Sequence, residues 1–229
     1  MNTLAKRLGL SEDLQFYDVY SLDDPDLLQH IPRPAYALLV IIPLTDTWKE
    51  ARQSEDSGMT DYTGYGDKEP VIWFKQTIGH ACGSIGLVHC AINGRASKYI
   101  LPGSTLEKIR HDALPLAMED RAQMLYDSEA FEVAHQSVAN MGDTVAPSNE
   151  EGDRLGQHFV AFVKSDDGHL WELEGSRKGP IDRGVVAEGE DVLSRGALDL
   201  GLGRIINEEI NAGGQDLRFS CIALAPKTK

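Results

Sequence analysis

Apolar and polar positions alternate with two different periods along this chain, and the boundaries between them outline its elements. Residues 3–8 predict a short helix stopped by Gly9. FYDVYS (Phe16 to Ser21) alternates, with aromatic and β-branched residues, as a strand does. DDPDLLQH then predicts a helix with Asp24 as N-cap and Pro25 at the first helical position. IPRP breaks that helix, and YALLVIIP (Tyr36 to Pro43) is apolar on both faces, the mark of a buried strand. TDTWKEARQSEDSG reads as a short polar helix running into an exposed, acidic loop through Tyr65 and Asp67.

Helical spacing returns in CGSIGLVHCAIN, where Ile85, Val88 and Ile92 form one stripe. Ser104 with Glu107 three residues on is a capping box, and helices continue from Thr105 to about Asn140. From Asn140 to Gln157 there is almost no apolar residue and no period, a length that in a compact domain implies function or disorder. HFVAFVKSDDGHLWELEG then places two alternating runs around an Asp-Gly turn, a β-hairpin. EDVLSRGALDLGLGRIINEEIN has helical spacing interrupted by Gly196, Gly201 and Gly203, and LRFSCIAL (Leu217 to Leu224) is a closing strand. Helices gathered in one half and strands in the other predict an α+β fold, read as one domain over residues 1–229.

Composition narrows the function. The longest apolar run, AYALLVIIPL, is about half a membrane span, and no segment has the order of a signal peptide. The net charge of −14 disfavours nucleic acid and anionic membranes as partners; it would steer a basic partner in, but by itself it reads first as a means of solubility. Three cysteines, Cys82, Cys90 and Cys221, show neither disulfide nor zinc spacing, so a reducing compartment, cytosol or nucleus, and no metal or cofactor are expected.

One of those cysteines is a candidate nucleophile, although a lone cysteine ahead of an apolar helix is more often a packing residue. Cys82 falls in the first turn of its helix, where unpaired N–H groups and the helix dipole favour a thiolate. Cys90 lies deep in the same helix and, like Cys221, reads as an inert small hydrophobe. Gly79, Gly83 and Gly86 leave the backbone around Cys82 bare, either for another chain to approach or, for Gly86, for close helix packing. His89 lies about 10 Å along the axis from Cys82, beyond hydrogen-bond range. His80 is near but has no local carboxylate to orient it, while His30, His111 and His135 read as surface residues. His158 opens an apolar strand, and the hairpin brings it near Glu174, with Glu172 on the same face as Glu174. That pair is the orienting couple a thiol nucleophile uses, or equally a structural ion pair. Gln76 with the Cys82 amide can form an oxyanion hole. Gln, helix-start Cys, distant His and a carboxylate beyond a hairpin make a papain-like order.

QTIGHACGSIGLVHCAIN resembles the cysteine box of the ubiquitin C-terminal hydrolases, and HFVAFVKSDDGHLWELEG their histidine–aspartate box. FYDVYSLDDPDLLQHIPRPAYALLVIIPL, PGSTL, the APS before the second box and DLRFSCIAL are similar to that family too, so the resemblance covers nearly the whole chain. It points to the short, single-domain members. The resemblance implies Cys82 as nucleophile, His158 as general base and acid, and Gln76 as oxyanion donor. Glu174 stands where the family has aspartate, in LEG for LDG, and Gly79-His80 replace the usual Ser-Asn. It further implies a central antiparallel sheet flanked by helices, a knotted backbone, and a crossover segment at about 137–157 that restricts the leaving group. The implied partner is ubiquitin, whose basic C-terminal tail suits the acidic chain, and the implied enzyme is a monomer. Two other readings stay open. One is a weakly active or inactive ubiquitin-binding protein in which Glu174 spoils the histidine geometry; the other is a hydrolase of a ubiquitin-like modifier.

Overall fold

The computed structural model describes residues 1–139, 156–214 and 216–228. Its centre is the apolar run expected to be a buried strand. β2 (Ala37–Pro43) is buried at all but one position and is flanked on both sides by strands. Together with β1 (Leu14–Asp18), β3 (Gln157–Lys164), β4 (His169–Leu173), β5 (Ile181–Val185) and β6 (Ser220–Pro226) it forms a sheet ordered β1-β6-β2-β3-β4-β5. Every described ladder in it is antiparallel.

Alternation along the strands sorts side chains onto two faces, each with its own core. Leu39, Ala161, Val163 and Leu224 join the first, packed under α1 (Asn2–Leu8), α4 (Cys82–Ile92), α5 (Thr105–Ala113), α6 (Met118–Tyr126) and α7 (Glu129–Ala139). Leu38, Val40, Val160, Phe162 and Ala223 join the second, under α3 (Asp46–Ser57), α8 (Arg195–Leu200) and α9 (Leu202–Asn211). The α+β expectation, a central antiparallel sheet flanked by helices, is what the structure shows.

Caps fall where the side chains demand them. Asp24 accepts from the Asp26 and Leu27 amides to start α2 (Pro25–Leu28), and Thr45 accepts from Trp48 N to start α3. Ser104 caps α5 through Glu107 N, while Glu107 reaches back to the Gly103 amide instead of to Ser104. Gly9 ends α1 in the left-handed conformation, φ 99°. Other boundaries moved. The first strand runs Leu14–Asp18, leaving Tyr20 outside it and 70% exposed, and the closing strand begins at Ser220 rather than Leu217. The interrupted helix breaks at Gly201 alone. Of the crossover segment expected at about 137–157, residues 140–155 lie outside the described residues. Among the described residues no helix is long and apolar enough to cross a membrane.

Candidate active site

α4 begins at Cys82 without help from a side chain. Its N-cap is Ala81, which offers no acceptor, and His80 before it holds a left-handed φ of 59°. The first amides of the helix are therefore left to other partners, the condition for receiving a negative charge. Cys82 itself is half-buried. Burial pushes its thiol above the ordinary value, against the amides of Phe159, Gly83 and Cys82 itself, and the Glu174 charge adds to the rise. The resting group is thus a neutral thiol that needs a base. Cys90 and Cys221 are further from reactivity: burial pushes both up, Cys221 to about 12, and the Cys90 thiol points to the Leu38 carbonyl at 3.6 Å.

The glycines near Cys82 serve packing within the chain. A Cβ on Gly86 would lie 2.6 Å from Leu39 Cδ1, and one on Gly83 3.2 Å from the Phe159 ring. They let α4 settle onto β2 and β3, so the expected opening for another chain is filled by the sheet. Only at Gly79 would a Cβ meet open space.

β4 pairs with β3 from Ala161 to Lys164 and then turns away, so Gln157 to Val160 have no β4 partner. The Cys82 thiol sits against the Phe159 amide in this stretch, one residue from His158. The His158 Nε2–H donates to Glu174 Oε1 at 2.6 Å, which leaves Nδ1 as the ring nitrogen able to take a proton. The same carboxylate oxygen accepts from Ser176 N at 2.7 Å and Ser176 Oγ at 2.6 Å. Glu174 is fully buried; that burial, which alone would raise its pKa, is outweighed by His158, the Arg52 charge and Ser176, and the carboxyl falls to about 2.

Gln76 is tied to this turn through its backbone, since its N–H donates to Gly175 O at 2.7 Å. Gly175 is required there: a Cβ would lie 2.8 Å from Gln76 Cβ and 3.1 Å from Gln76 N. The Gln76 amide group donates to Ile78 O at 3.4 Å, on the approach to Cys82. The structure therefore joins Gln76, Glu174 and His158 into one cluster and lays the Cys82 thiol beside the residue next to His158. Glu172 shares the face but not the cluster; it pairs with Arg183 at 2.8 Å and Arg204 at 3.4 Å.

Two residues that sequence reasoning passed over stand beside the pair. Arg52 of α3 lies with Nε 3.2 Å from Glu174 Oε2, and its Nη2 donates to Ser176 O at 2.5 Å. Trp48, one turn earlier, holds the Arg52 guanidinium 5.2 Å from its ring centre and the His158 ring at 6.4 Å. The α3 segment looked only polar, but Trp48 and Arg52 at i and i+4 do share one face.

His89 and Asn93 also acquire a purpose. Phe74 N donates to His89 Nε2 at 2.9 Å, while Asn93 accepts from Ile72 N and donates to Ile72 O. Side chains of α4 and of its C-cap Asn93 thus supply the hydrogen bonds that a neighbouring strand would otherwise give to residues 72–74, just before Gln76. His135, expected at the surface, is instead half-buried: it shares a 2.7 Å hydrogen bond with Ser84 and stacks on Phe131. Burial lowers His89 to about 3, so the ring is neutral in the fold. The unfolded chain takes up a proton below about pH 6.5 that the folded one refuses until about 3, so stability falls across that window. His89→Gln keeps an acceptor for Phe74 and will flatten the decline of melting temperature between pH 6.5 and 4; an unchanged slope would refute this assignment.

Among the described residues no group of three His, Cys, Asp or Glu side chains could hold a metal ion. A thiol beside uncapped helix amides, with an imidazole oriented by a buried carboxylate, has the parts for acyl transfer.

Comparison with known proteins agrees with the geometry. A family model described as ubiquitin carboxyl-terminal hydrolase, family 1, matches residues 1–200. Ubiquitin carboxyl-terminal hydrolase isozyme L1 of Homo sapiens is 32% identical over 224 residues, 98% of this chain and 93% of the relative. The Monodelphis domestica isozyme L1 is 33% identical over the same shares. Among solved structures, the Trichinella spiralis UCH37 catalytic domain bound to ubiquitin vinyl methyl ester matches with a TM-score of 0.71 at 22% identity. That match covers 99% of this chain and 91% of the other, a likeness of fold.

Proposed function

The chain belongs to the ubiquitin carboxyl-terminal hydrolase family 1, and from that premise we propose that Cys82, His158, Glu174 and Gln76 carry its reaction. It is a thiol-dependent hydrolase acting at the ubiquitin C-terminus. His158 takes the Cys82 proton at Nδ1, and the thiolate attacks the carbonyl of the terminal glycine. The Cys82 amide and the Gln76 side chain receive the oxyanion. His158 returns the proton to the leaving amine, and water, with His158 again as base, resolves the thioester. Glu174 holds the ring and balances its charge while it is protonated.

The observation that carries the assignment of roles is the 2.6 Å bond from His158 to a buried glutamate, beside a helix that starts at the thiol without a cap. It also favours an active enzyme over a binding protein with a spoiled histidine. The leaving groups are small adducts or short peptides. Ubiquitin is the partner, ahead of a ubiquitin-like modifier, and the net charge of −14 draws its basic tail in. The protein acts as a monomer in the cytosol or nucleus, away from nucleic acid and membranes.

A ubiquitin C-terminal electrophile tests the reading. Wild type and Cys90→Ala will form a one-to-one covalent adduct and Cys82→Ala will not. An adduct on Cys82→Ala, or capture of a ubiquitin-like modifier in preference to ubiquitin, would overturn it.

A further inference from the structure

Glutamate in place of aspartate puts one more methylene between backbone and carboxylate, yet the His158 bond forms at 2.6 Å. The surroundings of Glu174 show what takes up that length. One oxygen, Oε1, accepts from His158, Ser176 N and Ser176 Oγ. The other, Oε2, is buried without a hydrogen-bond partner among the described residues, and the charge nearest to it is Arg52 Nε at 3.2 Å, itself buried and unbonded.

Arg52 is held from three sides. Its Nη2 donates to Ser176 O, its guanidinium lies over Trp48, and Asp56 stands 3.8 Å from Nε on the same helix. Asp56 also meets Arg177 at 3.2 Å, and Arg177, Arg183 and Arg204 surround Glu55 and Glu172. Four guanidiniums and four carboxylates therefore interlock behind the turn at 174–177. In this set Arg52 is the arginine whose guanidinium meets the Glu174 carboxylate, and through Trp48 it also backs the His158 ring.

We propose that Arg52 is the positioning residue that lets a glutamate serve where the family has an aspartate. Its guanidinium draws Oε2 to the α3 side and grips the Ser176 carbonyl, so the longer side chain is folded into one rotamer. A single oxygen, Oε1, is then presented to Nε2 of His158. The inference rests on the catalytic reading above, and it assigns a device to this chain that its neighbouring residues, not its nucleophile, supply.

The test is a set of substitutions read by two independent measurements. With a fluorogenic ubiquitin C-terminal amide, Arg52→Gln will lower kcat about 10- to 100-fold and leave KM within about twofold, as loss of an orienting partner does. Arg52→Lys will recover much of that loss. In a Glu174→Asp background the shorter carboxylate no longer reaches Nε, so adding Arg52→Gln will cost little more. The second measurement needs no turnover. The downfield Nε2–H proton of His158, seen by NMR in wild type, will broaden or disappear in Arg52→Gln and persist in Arg52→Lys. An unchanged proton in Arg52→Gln, or an equal loss of kcat in both backgrounds, would overturn the proposal. Absence of wild-type turnover would refute the catalytic reading instead, and the proton resonance would still decide the role of Arg52.

Discussion

Alanine at Cys82 will lower kcat/KM for a ubiquitin C-terminal amide by about four orders of magnitude or more, while Cys90→Ala stays near wild type. The two thiols lie on one helix, so the contrast isolates position. Cys82 has open helix amides beside it and His158 one residue from the backbone it touches; Cys90 is fully buried against the Leu38 carbonyl. Removing the half-buried Cys82 sulfur costs little packing, so Cys82→Ala will keep its circular dichroism and melting temperature. Substantial turnover in that variant would end the case for a thioester. Loss of turnover in a well-folded Cys90→Ala would move the nucleophile to the wrong end of the helix.

The second large effect is at Glu174. Glu174→Ala leaves His158 without its acceptor and Arg52 without its nearer carboxylate, in a largely buried site. Breaking a buried ion pair from one side costs roughly 3–5 kcal/mol, enough to lower the melting temperature visibly. Turnover will fall about 10²- to 10⁴-fold, the range that an orienting carboxylate supports. Glu174→Gln separates the two losses, because it keeps the shape and removes the charge. The sign with pH is fixed by the direction of the shift. The folded carboxyl lies at about 2, below its ordinary 4.5, so its stabilisation is complete above about pH 4.5 and is lost as the pH falls toward 2. In Glu174→Gln the drop in melting temperature across that window will be smaller than in wild type. An equal drop, or wild-type turnover in Glu174→Ala, would remove Glu174 from the mechanism. Glu174→Asp will bring no large gain, since the pair is already formed at 2.6 Å; a large gain would restore the weak-enzyme reading.

What could be read in advance followed from local rules. The start of α4 at Cys82, the hairpin that returns Glu174 toward His158, and the Asp24 and Ser104 caps each depend on a few neighbouring residues. Contacts between distant segments were hidden. Arg52 reaches the site because α3 crosses the turn at 174–177, and nothing in its own polar surroundings announces that meeting. Distance along the helix sets His89 apart from Cys82, but its acceptor role toward Phe74 depends on an extended segment with no strand period. His135 was read as a surface residue from its Glu, Gln and Ser neighbours, whereas Ser84 and Phe131 enclose it. The glycines of α4 were legible as a close approach, though not as to what approached.

The order of the sheet carries a consequence for biosynthesis. β6, the last strand in the sequence, is not at an edge but lies between β1 and β2, paired to both. A nascent chain that stops short of Ser220 has two strand edges with no neighbour, near the middle of the eventual sheet. Such edges are templates for association with other chains, and pairings of this sequence separation are slow to form. The central layer is therefore sealed only once Ser220–Pro226 has emerged and paired. Until it is, β2, against which His158 is paired through Ile42, has no partner on its other side. Hydrolytic competence should arrive all at once, when β6 inserts, with chaperone protection most needed just before it.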